Sequence, residues 1–251
     1  MARVPLPSVD GRRVRVRALT RALVLCLGLL MVTILDRPIY LALGDTFSER
    51  VKGHSIYQAL RSVGWLPSWI VLAIALMLID RRRGVAAFAS SIARRWWDRG
   101  LLLLAGAFFS GLVAEGLKLL HLRDRPLDGG VYEWEGPWLA DAHPAGLPSS
   151  HMAVAMGGAL VLARLIPETR WLMIGLAIGC GATRVASRAH FASDVYAGAL
   201  VAWGMVVVVG RVHAWRLARQ GARDEGRGVE ASRHGPEKGD TLTLENPSRV
   251  A

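Results

Sequence analysis

Residues 100–117 read GLLLLAGAFFSGLVAEGL, an apolar block that carries one charged residue, Glu115. About 20 consecutive apolar residues make a helix long enough to cross the hydrocarbon core of a bilayer. A bilayer offers the backbone no water to bond, so a segment of this kind crosses it as an α-helix, and an open sheet is excluded. The block therefore predicts a membrane helix.

Five further apolar blocks surround the first, and together they predict an all-α integral membrane bundle of about six transmembrane helices. They cover residues 19–35, 65–79, 150–165, 171–186 and 195–210. Most are shorter than ~20 residues, so each is expected to extend by a turn into its flanks. The predicted domain order is a basic N-terminal segment (1–18), the six-helix domain (19–215) and a disordered cytoplasmic tail (216–251) without apolar periodicity.

Composition agrees with a membrane protein and argues against two other classes. The chain has 251 residues, is 52% hydrophobic, and carries 31 Lys and Arg against 20 Asp and Glu, a net charge of +11. The basic residues cluster between apolar blocks, which is typical of membrane topology signals and not of a nucleic-acid-binding stripe. Cys26 and Cys180 both lie inside apolar blocks, so neither a disulfide framework nor a CxxC motif is expected.

The charges of the connectors predict the orientation. Residues 1–21 carry six Arg against one Asp, and residues 80–99 carry six Arg against two Asp. Residues 118–150 instead carry three basic and five acidic side chains. Because cytoplasmic loops are enriched in Lys and Arg, both termini are expected in the cytoplasm and the connector over 118–150 outside.

Three polar clusters stand at the predicted outer ends of the last four helices. They are Lys118 with Arg125-Pro126, then Pro148-Ser149-Ser150-His151, then Arg184 with His190 and Asp194. Ionisable residues at membrane depth are costly and usually functional. Three cations, two histidines, one carboxylate and a helix start at one depth are what a site for a phosphate ester needs.

Each residue type fits phosphoryl transfer. Lys and Arg can neutralise the phosphoryl oxygens, and the helix start at Ser149-Ser150 offers backbone N–H groups to an anion. His190 and Asp194 are four residues apart, a spacing that on a helix places the carboxylate beside the imidazole. This pairing makes His190 a candidate nucleophile.

These clusters resemble the three motifs of the type 2 phosphatidic acid phosphatase (PAP2) superfamily, in order and with matching internal spacing. The matching stretches are Lys118-x6-Arg125-Pro126, Pro148-Ser149-Ser150-His151 and Thr183-Arg184-x5-His190-x3-Asp194. Two positions depart from the family pattern, because Ser150 replaces the usual Gly and Thr183 replaces the usual Ser. A side chain at Ser150 is expected to alter headgroup choice. Soluble haloperoxidases share the motifs, but the apolar blocks favour the membrane lipid phosphatase branch.

The resemblance implies a role for each motif residue. His190 would attack phosphorus to give a phosphohistidine, Asp194 would orient it, and His151 would protonate the leaving group and then activate water. Phosphate-binding roles would fall to Lys118, Arg125, Arg184, Ser149 and Ser150. No metal or other cofactor is expected, because cationic side chains take the role that Mg²⁺ plays elsewhere.

The implied activity is hydrolysis of a phosphate monoester or diphosphate on a membrane lipid at the outer, periplasmic face of a bacterial inner membrane. Phosphatidic acid, phosphatidylglycerophosphate, a polyprenyl diphosphate and a lipid A phosphate all stay open as substrates. Two alternatives remain, a lipid phosphotransferase that uses the same phosphohistidine and a non-catalytic lipid-phosphate binder or transport component. The expected partners are the substrate lipid and the bilayer, with no nucleic acid.

Four other charged residues are assigned by position alone. Arg123 and Arg188 occupy variable motif positions and are expected to contact headgroups or the surface. Asp124 is expected to be a solvated loop residue. Glu115 is expected either to reach the membrane boundary or to pair with Lys118 three residues later.

Overall fold

The computed structural model describes residues 9–85, 90–120, 122–126, 134–135 and 145–233, and this part of the chain is almost entirely helical. The helices are α1 (Val9–Leu43), α2 (Asp45–Lys52), α3 (Ser55–Ser62), α4 (Leu66–Val85), α5 (Ser90–Lys118), α6 (Ser150–Leu165), α7 (Arg170–Ala186) and α8 (Ala192–Arg233). A short 3-10 helix, Pro167–Thr169, joins α6 to α7. Two antiparallel strands of two residues each, β1 (Leu122–Arg123) and β2 (Trp134–Glu135), follow α5.

A helix occupies each of the six predicted positions, so the all-α membrane fold is confirmed. Three helical stretches among the described residues are long and apolar enough to cross a membrane: Val16–Leu43, Arg99–Lys118 and Ala192–Gly221. A fourth span results if Ser55–Ser62 and Leu66–Arg82, which meet at a 65° bend, act as one. By length and composition the described chain therefore has three or four spans, whereas the sequence predicts about six.

The connector after α1 contains two short helices that the sequence pattern does not predict. Both are only eight residues long, too short for apolar periodicity to stand out. Helix α3 buries Tyr57 and packs on α7, where Leu60 lies against Gly179. This contact brings the α3 side chains close to the end of α7.

Helix α6 is the centre of the bundle, packed between α5 and α7. Small residues make this possible, because a Cβ at Gly157 would collide with the carbonyl oxygen of Gly106 on α5. Close backbone approach through small residues is the usual way that membrane helices gain packing contacts. Gly158 gives similar room to the buried ring of Trp69 on α4.

The outward faces of the helices are apolar, as expected for contact with lipid. Exposed side chains along α1 include Leu19, Leu23, Leu27, Leu30 and Ile34. Asp36 on the same helix is the opposite case, because its side chain is buried inside the protein. Helix α1 thus presents apolar groups outward and one carboxylate inward.

The chain divides into two compact units, residues 1–210 and 211–251. Every predicted site residue lies in the first unit. Helix α8 continues to Arg233, so residues 216–233 are helical where the sequence predicts an irregular tail. The physical reason is the Arg, Ala, Glu and Gln content of this stretch, since these residues have high helix propensity even without an apolar stripe. Residues 1–8 and 234–251 of the predicted terminal segments lie outside the described residues.

Candidate active site

The ends of α5, α6 and α8 meet at one place, held by hydrogen bonds between residues of different motifs. The backbone N–H of Ser149, just before α6, donates to the carbonyl oxygen of Asp194 in α8 at 2.9 Å. Lys118 Nζ, at the end of α5, donates to Ser150 Oγ at 3.3 Å. The three motifs, which span residues 118–194 of the sequence, are therefore neighbours in the folded chain.

Three cations are gathered at this place. Lys118 and Arg184 are buried and Arg125 is half-buried. Arg184 and Arg125 interact electrostatically with each other, and both act on His190. Glu115 Oε1 accepts from Lys118 Nζ at 2.9 Å, which confirms the second of its two predicted roles. The local charge is strongly positive, as an anion-binding site requires.

His190 lies between the ends of α7 and α8 and is 2% exposed. Its Nδ1 is 3.5 Å from Asp194 Oδ2, an ion-pair distance that is longer than a good hydrogen bond. With Nδ1 on the carboxylate side, Nε2 is the nitrogen on the opposite side of the ring. Burial lowers the pKa of His190 below its ordinary value, and the contact with Asp194 opposes this shift only in part.

The start of α6 contributes the middle motif. Ser149 is the N-cap residue, and its carbonyl oxygen accepts the first helical bond from the N–H of Ala153 at 3.0 Å. Its hydroxyl makes no capping bond, although serine normally caps in this way. His151 follows in the first turn and interacts electrostatically with Arg184, His190 and Lys118. Both histidines therefore act on one cluster of cations.

A cavity of about 230 Å³ lies beside His151, and α3 supplies much of its lining. The lining residues are Gln58, Arg61, Ser62, Trp65 and His151. Arg61 interacts electrostatically with both His151 and Arg184. The sequence pattern does not indicate Arg61 or Gln58. Both lie in the connector between the first two apolar blocks, outside the three motifs that contain the other site residues.

Several buried polar atoms in this cluster have no hydrogen-bond partner among the described residues. They are Nε of Arg125, Nε of Arg184, Oγ of Ser149 and Nδ1 of His190. A buried polar group without a partner costs about 1–3 kcal/mol. The guanidinium and hydroxyl groups are donors that phosphate oxygens would satisfy, so the donor set fits an anionic ester.

The structure corrects the predicted positions of Arg123 and Asp124 and gives Arg188 a partner. Arg123, expected at the surface, is 1% exposed and forms ion pairs with Asp36 and Asp194. Asp124, expected in solvent, is also buried, because the loop after α5 folds back against Ala145. Arg188 is half-buried and ion-paired with Asp45, and it does not extend freely toward headgroups.

Within the described chain, no three His, Cys, Asp or Glu side chains are grouped so as to hold a metal ion. The carboxylates near the site are each engaged by a cation, Glu115 by Lys118 and Asp194 by Arg123. Among the described residues, the charged groups of the cluster that are left to attract an anion are therefore Lys and Arg side chains.

Comparison with known proteins agrees with the motif resemblance. Residues 99–218 match the family model described as PAP2 superfamily. The chain is 31% identical over 145 residues to a lipid A 1-phosphatase of Rhizobium johnstonii, covering 54% of this chain and 59% of that protein. It is 36% identical over 102 residues to a lipid A 1-phosphatase of Rhizobium etli, covering 39% and 44%. The chain thus spans about half the length of these curated relatives.

Among solved structures, the chain is similar to the crystal structure of a transmembrane PAP2 type phosphatidylglycerolphosphate phosphatase from Bacillus subtilis. The TM-score is 0.48 and the sequence identity 21%, over 76% of this chain and 94% of that one. The matched segment, residues 99–218, contains all three motifs and every predicted site residue, and this match supports the PAP2 superfamily as the family of the chain.

Proposed function

We propose that this protein is a metal-independent lipid phosphatase that hydrolyses a phosphate monoester or diphosphate on a membrane lipid through a phosphohistidine. The observation that carries the proposal is the cluster of Lys118, Arg125 and Arg184 around two histidines, with buried donors that have no hydrogen-bond partner in the described part of the chain. The match of residues 99–218 to the PAP2 family model and the names of the two rhizobial relatives support the same activity.

In the first half-reaction, Nε2 of neutral His190 attacks phosphorus, and the bond from phosphorus to the leaving oxygen breaks. His151 donates a proton to that oxygen, while Asp194 stabilises the positive charge that develops on His190. Lys118, Arg125 and Arg184 neutralise the phosphoryl oxygens in the transition state. The lowered pKa of His190 favours this step, because it keeps the nucleophile neutral.

In the second half-reaction, water attacks phosphorus, and His151 takes the proton that the water loses. The bond from phosphorus to His190 then breaks and inorganic phosphate leaves. In both steps the hydroxyl of Ser149 donates to a phosphoryl oxygen, a role supported by its lack of a capping bond to the described helix α6. Lys118 and Arg184 stand at helix ends and Arg125 follows β1, so the charge distribution is in place before the substrate arrives.

A membrane lipid is the proposed substrate class because the site lies in a membrane protein with apolar space beside it. An apolar cavity of about 270 Å³ is lined by residues of α1, α5 and α8, among them Leu29, Leu117 and Val201. An acyl chain fits such a lining, whereas a soluble ester gains nothing from it. A lipid A type phosphate leads the candidate headgroups because both rhizobial relatives bear that name.

The active site is proposed to face the periplasm, with both chain ends in the cytoplasm. The support is the charge difference between connectors, since residues 80–99 are strongly basic and residues 118–150 are not. We also propose that catalysis belongs to residues 19–215 and that the chain after 215 contributes no catalytic group.

The deciding experiment follows the fate of labelled phosphate. Detergent-purified protein is incubated with phosphatidic acid, phosphatidylglycerophosphate, a polyprenyl diphosphate and lipid A, each labelled on the phosphate to be transferred. Label released into water as inorganic phosphate supports hydrolysis. Label that moves to a second lipid indicates the transferase, and binding without release of label indicates a non-catalytic binder.

A further inference from the structure

Behind the His190–Asp194 pair lies a buried polar cluster, and apart from Asp194 its members have no role in the proposed mechanism. It consists of Asp36 in α1, Arg123 in β1, and Ser193 and Asp194 in α8, each at most 2% exposed. Asp36 and Arg123 are 87 residues apart in sequence, so only the fold brings them together.

The cluster is fully connected. Asp36 Oδ1 accepts from the backbone N–H of Ser193 at 2.9 Å, and Asp36 Oδ2 accepts from the Ser193 hydroxyl. Arg123 Nη1 is 3.5 Å from Asp36 Oδ2. Arg123 Nη2 donates to Ser193 Oγ at 2.8 Å and also to Asp194 Oδ1. Asp36 is thereby linked to Asp194 through one guanidinium and one hydroxyl.

A carboxylate in a membrane-spanning helix is expensive, and burying it with a cation seldom repays the cost of desolvation. Packing alone does not explain Asp36, because an apolar residue would fill the same space more cheaply. The contacts at Asp194 supply a reason. Arg123 occupies Oδ1, while Oδ2 accepts from the N–H of Phe191 at 2.9 Å and lies toward His190.

We propose that Asp36 and Arg123 are positioning residues, which hold the Asp194 carboxylate in the one orientation that directs Oδ2 at His190. Asp36 fixes the guanidinium of Arg123, and Arg123 fixes Asp194. Neither residue touches the phosphate. The inference rests on the proposed role of His190 as nucleophile, and it assigns a catalytic purpose to α1, which lies outside the matched family segment.

Replacing these residues changes the charge that His190 senses. The charged and titratable groups around it are Asp194 at the start of α8, Arg184 at the end of α7, Arg125 after β1, and His151 in α6. All of them remain in the variants below. Removing the negative charge of Asp36 makes the surroundings of His190 more positive and strengthens the hold of Arg123 on Asp194. Removing the positive charge of Arg123 makes the surroundings of His190 less positive.

The test compares Asp36→Asn and Arg123→Gln with Asp80→Asn as the matched control. Asp80 is also a buried carboxylate on an apolar helix, paired with Arg99 at 2.9 Å, and it belongs to neither cluster. We expect Asp36→Asn and Arg123→Gln to lower kcat by about tenfold or more, with KM within about threefold, because the groups that bind phosphate are untouched. Asp80→Asn keeps the wild-type kcat.

The pH at which His190 titrates is a second readout. A smaller amount of folded protein lowers the measured activity but does not change this pH. The titration is followed by NMR on histidine-labelled protein, with the signal assigned by its absence from His190→Ala. We expect the titration to shift to lower pH in Asp36→Asn and to higher pH in Arg123→Gln. Unchanged titrations in both folded variants would overturn the proposal. Absence of phosphate release from wild-type protein is a separate result, which would overturn the proposed function.

Ser193→Ala keeps both charges and removes only the hydroxyl that joins them, so it serves if the charge variants do not fold. Loss of a hydrogen bond to charged groups predicts a fall in kcat of about threefold to tenfold at constant KM. A wild-type kcat in Ser193→Ala would count against the linkage between Asp36 and Asp194.

Discussion

His190 is the residue on which the mechanism depends, and its surroundings make its protonation testable. Burial lowers its pKa, so the neutral, nucleophilic form persists to lower pH than in an ordinary histidine. Activity is then lost only as pH falls through this lowered value. We expect the acid limb of a kcat/KM profile to lie below about 6.5, the usual histidine pKa.

The profile is measured with a lipid phosphate in detergent, and His190→Ala provides the background rate. A limb at or above the usual histidine pKa would mean that the imidazole is not held neutral by burial.

Ser150 is the second residue that invites a test, because the family pattern has glycine there. Its hydroxyl accepts from Lys118 Nζ at 3.3 Å and so engages one of the phosphate-binding cations. We expect Ser150→Gly to change the relative rates on the four lipid phosphates by about threefold or more, since Lys118 then loses its bond to Ser150 and keeps the one to Glu115.

Ser150→Ala separates the two possible causes of that change. Ser150→Ala removes the hydroxyl and keeps the Cβ. If its relative rates on the four lipids match those of Ser150→Gly, the lost hydrogen bond is the cause of the change. If they match those of the wild type, the cause is the lost side-chain volume. An unchanged profile in both variants would show that Ser150 does not shape headgroup choice.

For single residues, the sequence predicts contacts between residues close together in the chain and misses contacts between residues far apart in it. The three motifs have fixed internal spacing, and the pairing of Glu115 with Lys118 follows from the geometry of α5. His190 does pair with Asp194, but it lies two residues before α8 begins, so the helical spacing predicted for this pair is wrong. The surface position predicted for Arg123 is wrong because its partner Asp36 is 87 residues away, at the end of an apolar run in α1. No periodicity marks such a pair.

At the scale of elements, apolar blocks located all six predicted helices but not their lengths. Helix α8 extends from residue 192 to 233, because its polar second half has helix-forming residues without an apolar stripe. Helices α2 and α3 have only eight residues each, fewer than a periodic pattern needs. Arg61 was missed with α3, although it lines the cavity beside His151.

The packing of α5 on α6 is the contact between elements that the site most needs, because α5 carries Lys118 and α6 carries Ser149 at its cap. Gly157 faces the backbone of Gly106, with no room for a side chain. We expect Gly157→Ala to destabilise the folded protein by about 1–3 kcal/mol, as overpacking does. The measurement is thermal unfolding in detergent.

Gly175→Ala on α7 is the matched control, since a Cβ there meets nothing within 4 Å. Its unfolding temperature should equal or slightly exceed that of the wild type. Equal unfolding temperatures for Gly157→Ala and the wild type would show that the two helices are not in close backbone contact.

At the scale of the whole molecule, the side of the membrane that the site faces can be tested by chemical labelling. The connector charges predict that α2 lies outside and the chain after α8 inside. In a variant with Cys26 and Cys180 replaced by Ser, we expect Glu49→Cys to react with a membrane-impermeant maleimide in intact spheroplasts. Gln220→Cys should react only after the membrane is opened.

Both positions are exposed, so access of the reagent depends on the membrane alone. Labelling of Gln220→Cys in intact spheroplasts, with protection of Glu49→Cys, would reverse the proposed orientation and place the site in the cytoplasm.

The central claim is metal-independent phosphate hydrolysis by His190, and one measurement addresses it directly. Phosphate release by detergent-purified protein is measured on the lipid panel in excess EDTA, for wild type, His190→Ala and His213→Ala, the last as a histidine outside the site. We predict release that survives EDTA, persists in His213→Ala and falls to background in His190→Ala. Release that EDTA abolishes, or that His190→Ala retains, would contradict the account.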